Sequence, residues 1–322
     1  MATKRKIYLP SIANIGAGSA ANTVGLVDLP LYYKYHAIGI EYVDGGASPQ
    51  DIANYASGSL ATGVSGTPGA GGLIGDIALK INTNVTRIHS AIELDHLNVV
   101  NGTIYGRQAL GAGANMKQVL VLNFAEPWRI TAADRVLTAA NLTPTFGVNS
   151  AQIQITLGAA MPATGSLVLY AVVEPPDTAV PTQWVSKQVL RQQIAASGTA
   201  IDITTLPMTG YYQTLEMRNP TGACIGKATL KVNGTAIREL LRDSNVAELV
   251  RQGMNPANSS VAGAFGYDLI LDDDDPVNSA LPAGGQNFQL HLDFYNVSGA
   301  ATAATASGNI TALIELLQIN GW

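Results

Sequence analysis

The residues best suited to chemistry form one acidic run: Asp272, Asp273, Asp274 and Asp275. Consecutive carboxylates repel one another unless a positive charge lies among them, and their hard oxygen atoms are the ligands that calcium prefers. The run lacks the alternating ligand spacing and the closing Glu of an EF-hand. Because it follows a strand-like stretch and precedes Pro276, the pattern favours a solvated loop, and a calcium site shared between subunits is the alternative.

A second candidate is the glycine-rich stretch of residues 57–75, whose core runs from Gly66 to Gly72. A phosphate-binding loop of the Walker type needs a Lys followed by Ser or Thr after its last glycine. Leu73 and Ile74 stand there instead, and a Rossmann fingerprint would need a parallel βαβ context that the strand pattern does not provide. We therefore predict that this stretch is a surface loop between strands.

The histidines and carboxylates do not form a catalytic pattern. His89 and His96 are seven residues apart, which fits one helix face, but the i, i+4 histidine pair and the Glu of zinc proteases are missing. Glu93 and Asp95 have the pattern of an exposed helix face, and no G-x-S-x-G elbow precedes a helix. The sequence therefore predicts that the protein is not an enzyme.

The composition indicates a protein with few charged side chains, since 13% of the residues are charged and the net charge is −5. This balance argues against a protein that coats nucleic acid by neutralising phosphates. Lys4, Arg5 and Lys6 form a basic cluster that suits contact with anionic lipid or nucleic acid, and a solvated terminus is the alternative. The single Cys224 excludes an intrachain disulfide, so we expect synthesis in a reducing cytoplasm.

The elements that position these residues occur in two copies. The segment LKIN at residues 79–82 is echoed about 151 residues later by LKVN at residues 230–233, and Arg87 and Arg238 follow at the same distance. An offset of this length is that of a whole domain rather than of a solenoid repeat. The sequence therefore predicts two similar domains in tandem.

Each copy continues into a stretch with helical spacing. Residues 85–100 and 236–252 carry apolar residues three and four positions apart, which predicts one helix in each copy. Most other ordered segments predict strands, because they are short, β-branched or alternating, as in Gln152 to Leu157.

A proline-rich segment divides the two copies. Three prolines lie between Glu174 and Pro181, where they exclude a central strand and favour an extended connector. The domains are therefore predicted at residues 1–176 and 177–322. Each has room for about eight strands, so the predicted fold class is all-β: two tandem eight-stranded jelly rolls, each with one short helical excursion.

Three segments of the chain look like segments of a known family. They are residues 9–19 before the first barrel, the connector to Trp184 with residues 201–207 before Gly210-Tyr211, and residues 228–253 with their strand, Asn-Gly-Thr turn and helix. On these segments the chain resembles the double jelly-roll major capsid proteins of icosahedral bacteriophages with an internal membrane, of the corticovirus type and its relatives. The glycine-rich loop at residues 57–75 departs from that family's pattern.

The resemblance implies a structural role. Three chains would form a homotrimer with a pseudo-hexagonal footprint, and trimers would tile an icosahedral shell over the membrane. The implied partners are other copies of the chain, penton or vertex proteins, and the lipid membrane with its proteins, with no specific nucleic acid. The implied location is the virion shell, after synthesis in a host bacterial cytoplasm. Calcium at subunit contacts in this family would favour a metal at Asp272 to Asp275, and Lys4 to Lys6 would face the membrane.

Two other functions fit an all-β chain. A jelly-roll lectin or a receptor-binding fibre head would carry aromatic side chains on its loops, and Tyr32 to Tyr35 is a stretch of that kind. A glycosidase on a β scaffold would need two carboxylates flanking a groove. Both alternatives predict binding of a small ligand, whereas the capsid hypothesis predicts self-assembly.

Overall fold

The computed structural model describes residues 3–46, 52, 72–101, 116–129, 131–220, 223–254, 265–270, 280–283, 287–295 and 309–322. The strands of the first half are β1 Arg5–Tyr8, β2 Val24–Asp28, β3 Tyr33–Asp44, β4 Ile74–Ile81, β5 Asn84–Ser90, β6 Met116–Asn123, β7 Ala140–Leu142, β8 Ala151–Leu157 and β9 Gly165–Glu174. Its helices are α1 Ala91–Val100, α2 Asp134–Leu137 and a 3-10 turn at Pro144–Phe146.

The second half continues the same numbering. Its strands are β10 Val185–Ala195, β11 Ala200–Ile203, β12 Tyr211–Arg218, β13 Cys224–Val232, β14 Thr235–Leu241, β15 Phe265–Ile270, β16 Leu281–Pro282, β17 Phe288–Tyr295 and β18 Asn309–Ile319. Its helix is α3 Arg242–Arg251. Within the described residues, no helix is long and apolar enough to cross a membrane.

The strands of each half form two facing sheets with the same connectivity. In the first half the sheets have the orders β1-β9-β3-β6 and β5-β4-β8-β2. In the second half the corresponding orders are β10-β18-β12-β15 and β14-β13-β17-β11. Four strands facing four strands in this order make a jelly roll. The prediction of two tandem eight-stranded jelly rolls is therefore confirmed, and we call them the first and second barrel.

Alternating side chains fill each barrel. In β8, Ile153, Ile155 and Leu157 are buried while the intervening residues are partly exposed, as expected for a strand with one face on a core. A second, separate core lies in the second barrel, where Leu290, Leu292 and Phe294 of β17 point inward. The predicted domain boundary at residue 176 falls between β9 and β10, and it stays a prediction.

The two barrels share one extended sheet. β5 at the edge of the first barrel pairs in parallel with β10 of the second through Arg87 and Val189. This pairing joins a sheet of each barrel into one nine-stranded sheet, which includes the short β16. The two barrels therefore stand side by side, with β5 and β10 at the contact between them.

The repeated segment forms a β-hairpin in both barrels. Asn82 and Asn233 lie in the turns at φ 50° and 51°, in the left-handed region that Asn tolerates better than most residues. Their side-chain oxygens accept hydrogen bonds from backbone N–H groups, that of Asn82 from Asn149 at 2.7 Å and that of Asn233 from Asn287 at 3.0 Å. An asparagine thus occupies the same left-handed turn position in both hairpins.

The helix predictions are wrong over their first six residues, 85–90 and 236–241. Residues 84–90 and 235–241 are the strands β5 and β14, which pair back onto β4 and β13, and the helices begin only at Ala91 and Arg242. The tight Asn turn brings each segment onto its neighbour, so ladder hydrogen bonds override the helical spacing. The start of α1 carries a local signal, because Ser90 and Glu93 form a capping box.

Candidate functional site

The basic cluster belongs to an edge strand. Arg5 and Lys6 lie in β1, which pairs on one side with β9. The Arg5 guanidinium donates to the Tyr33 hydroxyl at 3.0 Å, and the Lys6 ammonium lies 3.7 Å from the centre of the Tyr170 ring. These contacts fix two of the three basic residues on the barrel surface. Their predicted contact with membrane or nucleic acid stays a prediction.

Two predicted features fall outside the described residues. They are the acidic run Asp272 to Asp275 and residues 57–71 of the glycine-rich stretch. The calcium site therefore stays a prediction. Within the residues that the structure describes, no three His, Cys, Asp or Glu side chains are grouped closely enough to hold a metal ion.

The histidines lie apart and are not arranged on one helix. His89 is in β5 and His96 is in α1, so the predicted shared helix face is wrong. Both side chains are buried, and burial together with the charges of nearby Arg87 lowers the pKa of His89 to about 3. His291, on the second barrel, lies 2.9 Å from Asp202. This distribution does not resemble a catalytic centre.

The contact between the barrels contains a buried ionic cluster. The Lys187 ammonium on β10 contacts the carboxylate of Glu126 and lies 3.2 Å from that of Glu315 on β18. Arg129 Nε donates to Glu126 at 2.6 Å, and Gln213 Nε2 donates to the same carboxylate at 3.0 Å. All five residues are buried. Glu126 and Arg129 follow β6 of the first barrel, so the cluster joins the two barrels.

The charges in this cluster compensate one another. Burial alone would raise the pKa of Glu126, but Lys187 and Arg129 with their hydrogen bonds lower it to about 2. The carboxylate is therefore ionised at neutral pH although it is buried. The space left beside the cluster is about 10 Å³, which holds about one water molecule and no organic ligand.

Arg87 lies at the contact between the two barrels and forms hydrogen bonds to the backbone of both. Its Nε donates to the backbone oxygen of Lys187 at 3.1 Å, and its Nη1 donates to that of Asn123 at 2.7 Å. The guanidinium also lies 4.7 Å from the centre of the Phe124 ring. Because the side chain is fully buried, its pKa falls to about 10, and the group is still charged at neutral pH.

An apolar contact and two ion pairs of Arg191 also lie between the two barrels. Leu97 of α1 packs with Val189 and Leu313 of the second barrel. Nearby, Arg191 on β10 contacts Asp76 at 2.9 Å and Glu93 at 2.8 Å. These contacts cover helix α1, in which eight of ten residues are buried. Glu93 and Asp95 are among them, so the predicted exposed helix face is wrong.

The corresponding surface of the second barrel is open. Helix α3 has two buried residues, Asn245 and Leu249, and β14 exposes Ile237 and Leu241. Among the described residues, β14 and β1 are the two sheet edges that correspond to the joined strands β5 and β10. The β5 and β10 edges therefore pair with each other inside the chain. Their counterparts β14 and β1 are exposed edges in the described residues.

Sequence reasoning missed this contact. Lys187 and Glu126 are far apart in sequence, and no motif connects them. A signal did exist, because Lys187 and Arg191 are basic residues inside a strand of a chain with only 13% charged residues. A charge within a strand of such a chain indicates a buried partner. The arrangement holds the two barrels together, and the cluster contains no nucleophile activated by a base.

Comparison with known proteins gives the same fold. Neither a family model nor a curated sequence matches this chain. The crystal structure of the major capsid protein P2 from Bacteriophage PM2 is similar, with a TM-score of 0.66 and 14% identity over 98% of both chains.

Two further solved structures agree. The PBCV-1 VP54 structure fitted into the virophage Sputnik matches with a TM-score of 0.63 and 12% identity over 99% of this chain and 94% of that one. The STIV MCP matches with a TM-score of 0.62 and 14% identity over 98% and 96%. At these identities the likeness establishes the fold, a double jelly roll.

Proposed function

We propose that this chain is the major capsid protein of an icosahedral virus. The observation that carries the proposal is the pair of matched jelly rolls, held side by side by a buried contact, over a length that nearly coincides with that of three viral capsid proteins. A chain with 13% charged residues has few groups to desolvate when neighbours cover its surface. Its role is structural, and it is not an enzyme.

The capsomer is a homotrimer with a pseudo-hexagonal outline, because two barrels in each of three chains make six. Exposed apolar residues on the second barrel, including Ile237 and Leu241, support self-association. Trimers then tile the shell through further contacts between identical chains. Vertex proteins and an internal membrane are the other partners in this proposal, and Lys4 to Lys6 supply cationic side chains for anionic headgroups.

Light scattering on the purified chain tests the proposal. A stable species of about three times 33.5 kDa is the expected result. A strict monomer over a wide range of concentrations would contradict it. Binding to a panel of immobilised glycans, with no assembly at any concentration, would instead support a lectin.

A further inference from the structure

The two barrels correspond residue by residue, and one tyrosine in each marks the same position. Tyr35 of β3 donates to the backbone oxygen of Pro30, and Tyr212 of β12 donates to that of Pro207. The strand pairing shifts by one residue directly after each tyrosine. The two tyrosines are therefore counterparts.

Paired residues in the neighbouring strands extend the alignment to the sheet edges. The matching rows across the two sheets are Tyr35–Val173–Arg5 and Tyr212–Leu316–Gln188. One residue further along the edge strands, Lys6 is the counterpart of Val189. Three residues earlier on the middle strands, Tyr170 is the counterpart of Leu313.

The hairpin and helix align in the same way. Asn84 and Thr235 begin the second strands of the two hairpins, and Ala91 and Arg242 begin the helices, so both elements keep the offset of 151 residues. Glu248 of α3 is therefore the counterpart of Leu97 of α1.

These counterparts reproduce the internal contact with opposite charges. Inside the chain, Leu97 packs with Val189 and Leu313. The counterpart of Leu97 is the acid Glu248, and those of the other two are the base Lys6 and the ring of Tyr170, on which the Lys6 ammonium lies at 3.7 Å. On the β14–α3 edge, the acid Glu248 thus stands where α1 has Leu97. On the β1 edge, the base Lys6 stands where β10 has Val189.

Side chains on the β14–α3 edge are more exposed than their counterparts on the joined β5–α1 edge. Thr86 of β5 is 4% exposed, whereas its counterpart Ile237 on β14 is 47% exposed. Arg87 is buried, whereas its counterpart Arg238 is partly exposed, with Glu248 at 3.6 Å. The β14–α3 edge therefore has the shape of a joined edge, and no strand of the described residues pairs with β14 on its outer side.

We infer that the β14–α3 edge of one chain binds the β1 edge of a second copy, in a contact that repeats the internal one. Glu248 of one copy pairs with Lys6 of the next, and Arg238 donates to the backbone oxygen of Lys4, as Arg87 does to Lys187. The contact is heterologous, so repetition builds a ring that closes when six barrels are in place. This inference rests on the proposed trimeric capsomer and assigns its interface, and it places the Lys6 ammonium against a neighbouring chain rather than against the membrane.

A charge swap tests the assignment. Lys6→Glu and Glu248→Lys each place like charges together, so each single variant is expected to sediment as a monomer. The double variant restores an opposite pair and is expected to recover the trimer. Lys80→Glu, the same change on the inner strand β4, is the matched control and should remain trimeric.

Different outcomes would overturn the interface assignment and the proposed capsid function. Trimeric single variants, or a double variant that stays monomeric beside a trimeric control, would overturn the interface and leave the capsomer intact. A monomeric unmodified chain would overturn both. As a second readout, a Lys6→Cys and Glu248→Cys double variant should oxidise to a covalent trimer on a denaturing gel, whereas each single cysteine variant should run as one chain.

Discussion

The Lys187 ammonium and the Glu126 carboxylate form a buried ion pair that joins a strand of the second barrel to a loop of the first. The two residues are 5% and 1% exposed. Arg129 and Glu315 complete the cluster, so each buried charge has an opposite charge beside it. The relative position of the two barrels thus depends on side chains that are remote in sequence.

Glu126→Gln should destabilise the protein strongly. The variant leaves Lys187 and Arg129 buried without their shared carboxylate, a change that costs about 3 to 5 kcal/mol in comparable sites. Urea denaturation measures the loss. The control Glu239→Gln breaks an exposed pair with Lys227 and should leave the free energy of unfolding nearly unchanged. Equal losses for the two variants would show that the buried pair has no special role.

The stability should fall in acid because of His89. Its pKa is about 3 in the folded chain and 6.5 in the unfolded one, since burial and the charge of Arg87 disfavour the protonated ring. The unfolded state therefore binds the extra proton, and stability is lost as the pH falls from 6.5 towards 3. In the second barrel the counterpart of His89 is Leu240. His89→Leu should flatten the dependence of unfolding free energy on pH between 6.5 and 4, and an unchanged slope would contradict the assignment.

Each of the two turn asparagines should contribute to stability. Asn82→Ala and Asn233→Ala each force an alanine into the left-handed region and remove a side-chain acceptor, for about 1 to 3 kcal/mol. Thermal unfolding of each variant checks this. Asn84→Ala, in the adjacent strand position, should change the melting temperature little. A loss in only one hairpin would argue against equivalent turns.

Local patterns in the sequence identify many of the strands and the two Asn turns. The alternation in Gln152 to Leu157 marks a half-buried strand, and the repeated Leu-Lys-x-Asn segment marks the first strand and the turn of each hairpin. The pattern was misleading at Val85 to Ser90, where apolar spacing fits a helix and pairing with β4 decides otherwise.

The joined contact could not be predicted from local patterns. Glu126 meets Lys187 only because β5 and β10 lie side by side, and no short segment contains both. The match of Glu248 with Lys6 requires the strand pairing of both barrels. Information of this kind lies in the topology, because the basic residues within β10 indicate buried partners but do not identify them.

A calcium role for Asp272 to Asp275 predicts a mass that depends on metal. The run lies outside the described residues. If calcium bridges chains there, a chelator should convert the trimer into monomers. The double variant Asp273→Asn and Asp274→Asn should then be monomeric both with and without calcium. Light scattering with calcium and then with chelator checks this. A trimer of unchanged mass under both conditions would assign the run to a solvated loop.

Electron cryo-microscopy of the purified assembly tests the central claim most directly. The account predicts a three-fold particle with six barrels at the corners of a near-hexagon, in which the β14–β1 contact between chains repeats the β5–β10 contact within a chain. A three-fold particle whose barrels stack along the axis, as in a fibre head, or meet through other edges would contradict it.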